Sequence, residues 1–383
     1  MARYLILLLI LFLSIVFNNT KAQGIYSSYN NQFHDLNLKA GDWIMGIHNN
    51  NFLKNNEYFG PYTKGITFIG SIFQPHVAWA MNDKLQIEGG WFFRKFFGQE
   101  GFDASQPVFT VQYKFIPGAR FIVGQIRGQL HHKYIEPVYN TDNYFVKKPA
   151  YGLQLLYDKN RLKSDLWLNW EKFIMPGSNH PEVINAGWLF SYKLHRQQSP
   201  NDIVMEMQSV IHHQGGQIDR NPLPLITRAN VAGGFKYNIT PGSNLLKNIY
   251  LRGFYIQSFE WSHTNILPFD RGFGVYTDIV ATNPWITLGV GFFHGQYFFA
   301  PMGDYLFQSI SDTKPWFIEE KRNLLTNKLM IQRQAFGWLQ FGLRFESYFD
   351  VVQNRFEYTY GFNLSLNPLL TKGSFKVKND LYK

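Results

Sequence analysis

Apolar and polar residues alternate along this chain with a period of two. In 355–367, Phe356, Tyr358, Tyr360, Phe362, Leu364 and Leu366 share one parity, and Glu357, Thr359, Gly361, Asn363, Ser365 and Asn367 share the other. Residues 338–350 set Leu339, Phe341, Leu343 and Phe345 against Gln340, Gly342, Arg344 and Glu346, and residues 107–116 set Phe109, Val111, Tyr113 and Phe115 against Thr110, Gln112 and Lys114. Successive side chains of a strand point to opposite faces, so this pattern predicts strands and fits no helix. Reading the whole chain this way gives segments at 41–54, 64–81, 85–97, 107–116, 120–130, 150–157, 162–174, 183–194, 203–214, 228–238, 248–261, 272–281, 285–298, 324–334, 338–350 and 355–367.

The connections carry a second rhythm. Met81-Asn82-Asp83-Lys84, Ile116-Pro117-Gly118-Ala119, Asp158-Lys159-Asn160-Arg161 and Thr282-Asn283-Pro284 place turn-forming residues where the backbone must reverse. Long polar stretches, notably 131–149, 215–227 and 299–323, fall between them; the exception on the long side is the short 351–354 connection. Long loops at one end and short turns at the other mark a transmembrane barrel. The segments run about eleven residues, which suits a tilted strand crossing a bilayer, whereas soluble strands run about five or six. Closure removes the unpaired edges that lipid forbids. The fold class predicted is all-β, a transmembrane antiparallel up-and-down β-barrel of about sixteen strands with long extracellular loops and short periplasmic turns.

The N-terminus adds an address. Arg3 precedes an apolar run, Tyr4–Phe17, and Thr20-Lys21-Ala22 offers small residues for cleavage before Gln23. The run is too short for a membrane anchor, which needs about 20 residues. Residues 1–22 are expected to be a cleaved signal peptide, 23–40 a short periplasmic or plug-like segment, 41–367 the barrel, and 368–383 a basic periplasmic tail, with the mature chain in the outer membrane. Composition agrees. Aromatics reach 18% and charged residues only 17%, yet mean hydropathy is −0.23, so polar and apolar residues are interleaved. The chain has no cysteine, which excludes disulfides and a lipoprotein anchor.

The chain thereby resembles the porin-like outer-membrane β-barrels of Gram-negative bacteria over about residues 40–367, through its signal sequence, lack of cysteine, two-residue repeat, loop asymmetry and the aromatic closing segment YTYGFNLSL. It departs from that pattern at the end, where about sixteen residues, Lys372, Lys376, Lys378 and Lys383 among them, follow the last strand. The resemblance implies contact with membrane lipid and lipopolysaccharide, and a homo-oligomer or an envelope-assembly partner.

Parity assigns faces. The apolar side should meet lipid, with Trp43, Trp79, Trp91, Trp170, Trp188 and Trp285 as interfacial girdles. The polar side should line a pore. Its basic residues are Arg94, Lys114, Arg127, Lys193, Lys236, Arg252, Lys328 and Arg344; its acidic residues are Glu88, Asp165, Glu171, Glu206, Glu260, Asp278, Glu346 and Glu357. Eight against eight leaves the formal charge, +10 overall and +8 without Arg3 and Lys21, to loops, turns and tail. That argues against a basic ladder for a polyanion. It fits a water-filled pore with a transverse field, although such pairs also stiffen a wall by bridging strands. Loop 299–323 or loop 131–149 is expected to fold inward as a constriction.

Other chemistry is thin. His131-His132 and His212-His213 are adjacent, so on a strand their rings point to opposite faces, and neither pair has a third metal ligand at suitable spacing. His212, His263 and His294 lie near outer strand ends with Ser209, Ser262 and Asp270 nearby, outside any recognisable nucleophile context. The expectation is therefore a non-enzymatic channel for ions and small hydrophilic solutes, without cofactor, metal or nucleic acid. Its rivals are a plugged barrel in an envelope-assembly or surface-polymer export system, an outer-membrane hydrolase, and a transporter of hydrophobic substrates. One residue resists the parity rule: Phe92, in LQIEGGWFFRKFF, falls on the pore side. It should pack beneath an infolded loop or mark a bulge at Gly89-Gly90.

Overall fold

The computed structural model describes residues 38–195, 201–216, 218–243, 245–262, 266–314, 316–335 and 337–375. The proposed signal peptide lies outside these residues, as does His263. The strands are β1 (Asp42–Glu57), β2 (Thr67–Ala80), β3 (Leu85–Phe96), β4 (Ala104–Ile116), β5 (Ala119–Gln125), β6 (Tyr151–Lys159), β7 (Leu162–Lys172) and β8 (Val183–Lys193). They continue with β9 (Asn201–Gln214), β10 (Ile226–Ile239), β11 (Asn248–Glu260), β12 (Arg271–Thr282), β13 (Ile286–Gln296), β14 (Lys321–Ala335), β15 (Leu339–Asp350), β16 (Arg355–Leu366) and β17 (Leu369–Ser374).

Each of the first sixteen pairs antiparallel with its sequence neighbours, and β1 pairs with β16, so the sheet closes into a sixteen-stranded barrel. All sixteen segments expected from periodicity are present. Lipid-facing positions such as Leu343, Phe345, Phe356, Tyr360 and Phe362 are exposed, while Arg344, Glu346, Glu357 and Thr359 are buried. Trp43 sits opposite Trp79 near the short-turn end, and Trp91 and Trp170 lie toward the long-loop end.

Three local departures have physical causes. First, β17 extends the sheet beside β1 from Asp42↔Ser374 to Gly46↔Leu369, and Phe375 stacks on Trp43 and meets Trp79 edge-on. The expected basic tail thus begins as a sheet strand; residues 376–383 lie outside the described residues. Second, β5 ends at Gln125 rather than 130. Gly124 has φ +100 there, and a Cβ on it would sit 2.2 Å from the Phe109 carbonyl oxygen, so only glycine fits where the chain leaves the wall. Third, register runs unbroken through Gly89↔Phe109 and Gly90↔Val108, so β3 has no bulge there. A Cβ on Gly90 would approach the Pro75 carbonyl oxygen to 2.3 Å, which explains the glycine. Phe92 instead packs with Phe52, Phe68, Ile72, Val108 and Phe145, the last from an infolded loop.

Two long connections enter the barrel, 126–150 and 297–320. Ile135, Val138, Phe298, Phe299, Ala300, Leu306 and Phe307 are buried there, several against wall residues Tyr276, Phe293 and Tyr348. Phe293 meets Phe298 and Phe307 with centroids 5.0 and 5.2 Å apart. A packed apolar core therefore lies inside a polar-lined wall. Expecting one infolded loop underestimates the interior by one.

Candidate functional site

The polar wall holds the two loops by their backbones. Asn230 Nδ2 and Ser258 Oγ donate to the Phe299 carbonyl at 2.8 and 2.7 Å, and Arg322 Nη2 donates to the Leu306 carbonyl at 2.5 Å. Gln208 Oε1 accepts from the Ile135 amide at 2.9 Å. The loops also meet each other, Asn140 N donating to the Met302 carbonyl at 2.7 Å. Unsatisfied backbone groups in a buried loop would cost about 1–3 kcal/mol each, so these wall side chains set the loops in place.

The charged residues expected to line a pore face the interior, and many are engaged. Arg252 binds Asp278 through Nε and Nη2 at 2.8 and 2.5 Å across β11 and β12. Arg344 Nη2 lies 2.6 Å from Glu346, and Lys328 bonds to Glu136 of the first loop, which also accepts from the Tyr348 hydroxyl at 2.7 Å. Arg94 binds Asp103 and the Lys147 carbonyl, and Glu88 accepts from Gln86. Glu357 accepts from the Phe59 amide, and Lys236 sits over the Tyr250 ring at 4.3 Å. Arg127 lies beyond the end of β5, with Nη2 3.2 Å from Gln112 Oε1. Lys193 and Glu171 are exposed near the two ends, bonded to Asp202 and Lys147. Asp165 holds His132, with Nδ1 2.8 Å from Oδ2. Lys114 and Glu206 stand half-buried on the inner face.

A separate constellation sits on the outside of the barrel at the long-loop end. Loop 215–225 joins β9 to β10 and pairs His213 with Thr227 directly across the hairpin. Both lie on the lipid-facing parity, beside exposed Ile211 and Trp261. His213 Nδ1 is 2.9 Å from Thr227 Oγ1. The Thr227 backbone is fixed at both groups, its amide donating to Ser262 Oγ at 2.9 Å and its carbonyl accepting from the Trp261 amide at 2.8 Å. Ser262 Oγ bonds to Glu260, which is held by Arg228 Nε at 2.6 Å. His212 faces inward, with Nδ1 2.7 Å from Asn185 Oδ1. The adjacent histidines thus serve opposite faces, as strand geometry requires.

The pair lies beside exposed Trp261 on the outward face of the barrel, and an imidazole nitrogen within hydrogen-bond reach of a hydroxyl can take its proton. Sequence reasoning considered His212, His263 and His294 with Ser209, Ser262 and Asp270 nearby in the chain, and did not single out His213 or Thr227. The signal was available in the hairpin: His213 and Thr227 are each seven residues from Arg220, the middle of the connection. His294 is a second lipid-facing imidazole, but its Nδ1 partner is the Asn323 amide oxygen at 2.7 Å, which offers no nucleophile.

Among solved structures, the fold is similar to OccK2 (OpdF) of Pseudomonas aeruginosa, crystallised in complex with glucuronate, at 10% identity with a TM-score of 0.51, covering 87% of this chain and 100% of that one. It is also similar to OmpT lacking loop L8, an outer-membrane protein of Vibrio cholerae, at 8% identity and TM-score 0.50, covering 85% and 99%. These likenesses establish the outer-membrane barrel fold. No curated protein sequence gave a match. A family model described as lipid A 3'-O-deacylase-type matches residues 34–373, the barrel in its entirety. That family is one of enzymes, and the match overturns the expectation of a non-enzymatic chain. The chain belongs to the lipid A 3'-O-deacylase-type family.

Proposed function

We propose that this chain is an outer-membrane acyl-ester hydrolase whose substrates are acylated glycolipids of the lipid A type, and that the reaction takes place on the outer surface of the barrel at His213 and Thr227. The observation that carries the proposal is the 2.9 Å contact between His213 Nδ1 and Thr227 Oγ1 on the lipid-facing side of the long-loop end. Acyl ester linkages of such a glycolipid lie just beneath its sugars, at the depth of an aromatic girdle. Exposed Trp261 and Ile211 flank the pair and offer apolar surface to the acyl chain.

The step follows from the chemistry of the two groups. Thr227 Oγ1 attacks the acyl carbonyl while His213 Nδ1 takes its proton. The sugar oxygen leaves as the C–O bond breaks and recovers that proton from the imidazole. Water, deprotonated by His213, then releases the acyl group as a fatty acid and restores the hydroxyl. The bonds to Ser262 and Trp261 hold the Thr227 backbone, so the hydroxyl need not be ordered on each turnover. Fatty-acid release from lipid A in mixed micelles tests this. Thr227→Ala and His213→Ala should each lose about a hundredfold or more, as removal of a nucleophile or base does, with Thr227→Ser retaining activity. Wild-type rates in both alanine variants would sink the proposal.

A second reading keeps a channel for ions and small hydrophilic solutes, supported by the sixteen-stranded circumference, which is wide enough for an aqueous lumen. Under it, inward-facing Lys114, Arg127, Glu206 and Lys236 would be the wall past which solutes move, and the two loops would set the bore. Steady single-channel conductance in planar bilayers favours this reading; silent bilayers count against it.

A further inference from the structure

The short-turn end of the barrel contains a cavity of about 700 Å³ beneath the first infolded loop. Six cationic side chains line it: Lys84 from the β2–β3 turn, Lys114 from β4, Arg120 from β5, Arg127 and Lys133 from the loop, and Lys163 from β7. Its two carboxylates are Asp158 and Asp165, which leaves a formal +4 with His131 and His132 neutral. Both carboxylates have partners in the cavity wall. Asp158 is bonded to Lys163 at 2.9 Å, and Asp165 to His132 at 2.8 Å and to Gln154 at 2.7 Å.

The roof is built rather than incidental. Gln154 is 1% exposed; its Oε1 accepts from the Arg127 amide and its Nε2 donates to the Arg127 carbonyl, while Gln112 Oε1 holds the guanidinium. His132, 2% exposed, stacks on Trp167 with centroids 4.5 Å apart. Phe115, Ile116, Leu156 and Leu189 complete the walls. Charge of one sign in a cleft with apolar walls focuses the field and concentrates counter-ions. A guanidinium fork beside lysine point charges suits phosphoryl oxygens. The volume lies within the range of small-molecule sites. The balanced count of inner-face charges thus coexists with a local excess at the periplasmic mouth, carried by turn, strand-end and loop residues.

We infer that this vestibule binds a small soluble phosphate-bearing anion from the periplasmic side, separately from the lipid-facing site. Calorimetric titration of the refolded full chain in detergent with inorganic pyrophosphate tests it. Saturable binding is expected, weakening as sodium chloride rises from 50 to 200 mM, and at least tenfold weaker in K114A/R127A. Heat-modifiable gel migration reports whether that variant has folded. Lys133→Glu, at an exposed loop position, should also weaken binding several-fold with no demand on folding. Thr227→Ala should bind like wild type. Absence of saturable binding, or an unchanged affinity in both K114A/R127A and K133E, would overturn the inference. Displacement of pyrophosphate by a short-chain phosphatidylglycerol but not by a sugar phosphate would overturn the soluble source and assign the site to a lipid headgroup.

Discussion

Replacing Arg322 with Met should release the second infolded loop. Arg322 is 1% exposed. Its guanidinium bonds to Asp350 on β15, donates to the Leu306 carbonyl at 2.5 Å, and stacks over Tyr62 with 3.4 Å from Cζ to the ring centroid. It therefore ties the wall, the loop and the β1–β2 connection at one point. Removing one partner of a buried ion pair costs about 3–5 kcal/mol, because the other charge is left uncompensated. The lost ring contact contributes up to about 2 kcal/mol when desolvated. These terms overlap, so about 3–5 kcal/mol is the expected total. The barrel wall keeps its ladder, so the cost should appear as local opening of residues 298–311, with amide hydrogen exchange there accelerating by about 10² to 10⁴. The double variant R322M/D350N removes the stranded charge while an oxygen remains to accept from the Val352 and Gln353 amides. It should recover a substantial part of the protection. Unchanged exchange in R322M, or a double variant worse than either single change, would refute the argument that the pair anchors the loop.

Asp304 caps the 3-10 turn Tyr305–Phe307, its Oδ1 accepting from the Leu306 amide at 2.9 Å, and burial followed by the nearby Glu136 and Asp142 carboxylates pushes its pKa up to about 7. A raised carboxyl pKa means that the folded loop holds the proton more tightly than the unfolded chain; this contribution is complete below about pH 4 and fades as pH rises through about 7. Exchange of 298–311, corrected for intrinsic rates, should therefore be slower at pH 5.5 than at pH 8, and Asp304→Asn should flatten the difference. A Cβ on Gly303 would lie 2.0 Å from the Pro137 carbonyl oxygen, so Gly303→Val should pry the two loops apart; limited proteolysis should cleave both 126–150 and 297–320 faster than in wild type. Gly124→Ala, at φ +100 against the Phe109 carbonyl, should lower the yield of heat-modifiable folded barrel, whereas Gly89→Ala, with open space around its Cβ, should not.

The wall was legible in the sequence because lipid and the barrel interior impose opposite demands on alternate residues. That alternation located β15 and β16 almost to the residue and put Arg344, Glu346 and Glu357 on the inner face. Features that depend on cross-strand register or on long-range packing were not legible. Phe92 could not be placed until Phe145, fifty-three positions later, was seen to fold back onto it. In sequence, loops 299–323 and 131–149 stand as alternatives for a single inward loop; that both fold in depends on the packing of Phe298 and Phe307 with Ile135 and Val138 in one interior cluster, which local sequence does not show. Asn367-Pro368 reads as the end of the sheet, yet the chain resumes as β17. The contact between His213 and Thr227, fourteen positions apart, likewise depends on the register of the hairpin that joins them.

The most direct test is the mass of lipid A after incubation with the purified barrel, comparing wild type with T227A, H213A and His132→Ala. Wild type and the His132 variant, whose imidazole lies inside the barrel against Asp165, should remove one acyl chain, giving a mass loss equal to that acyl group. T227A and H213A should leave the lipid intact. Lipid A unchanged by wild type, or trimmed equally by T227A and H213A, would contradict hydrolysis at the lipid-facing pair.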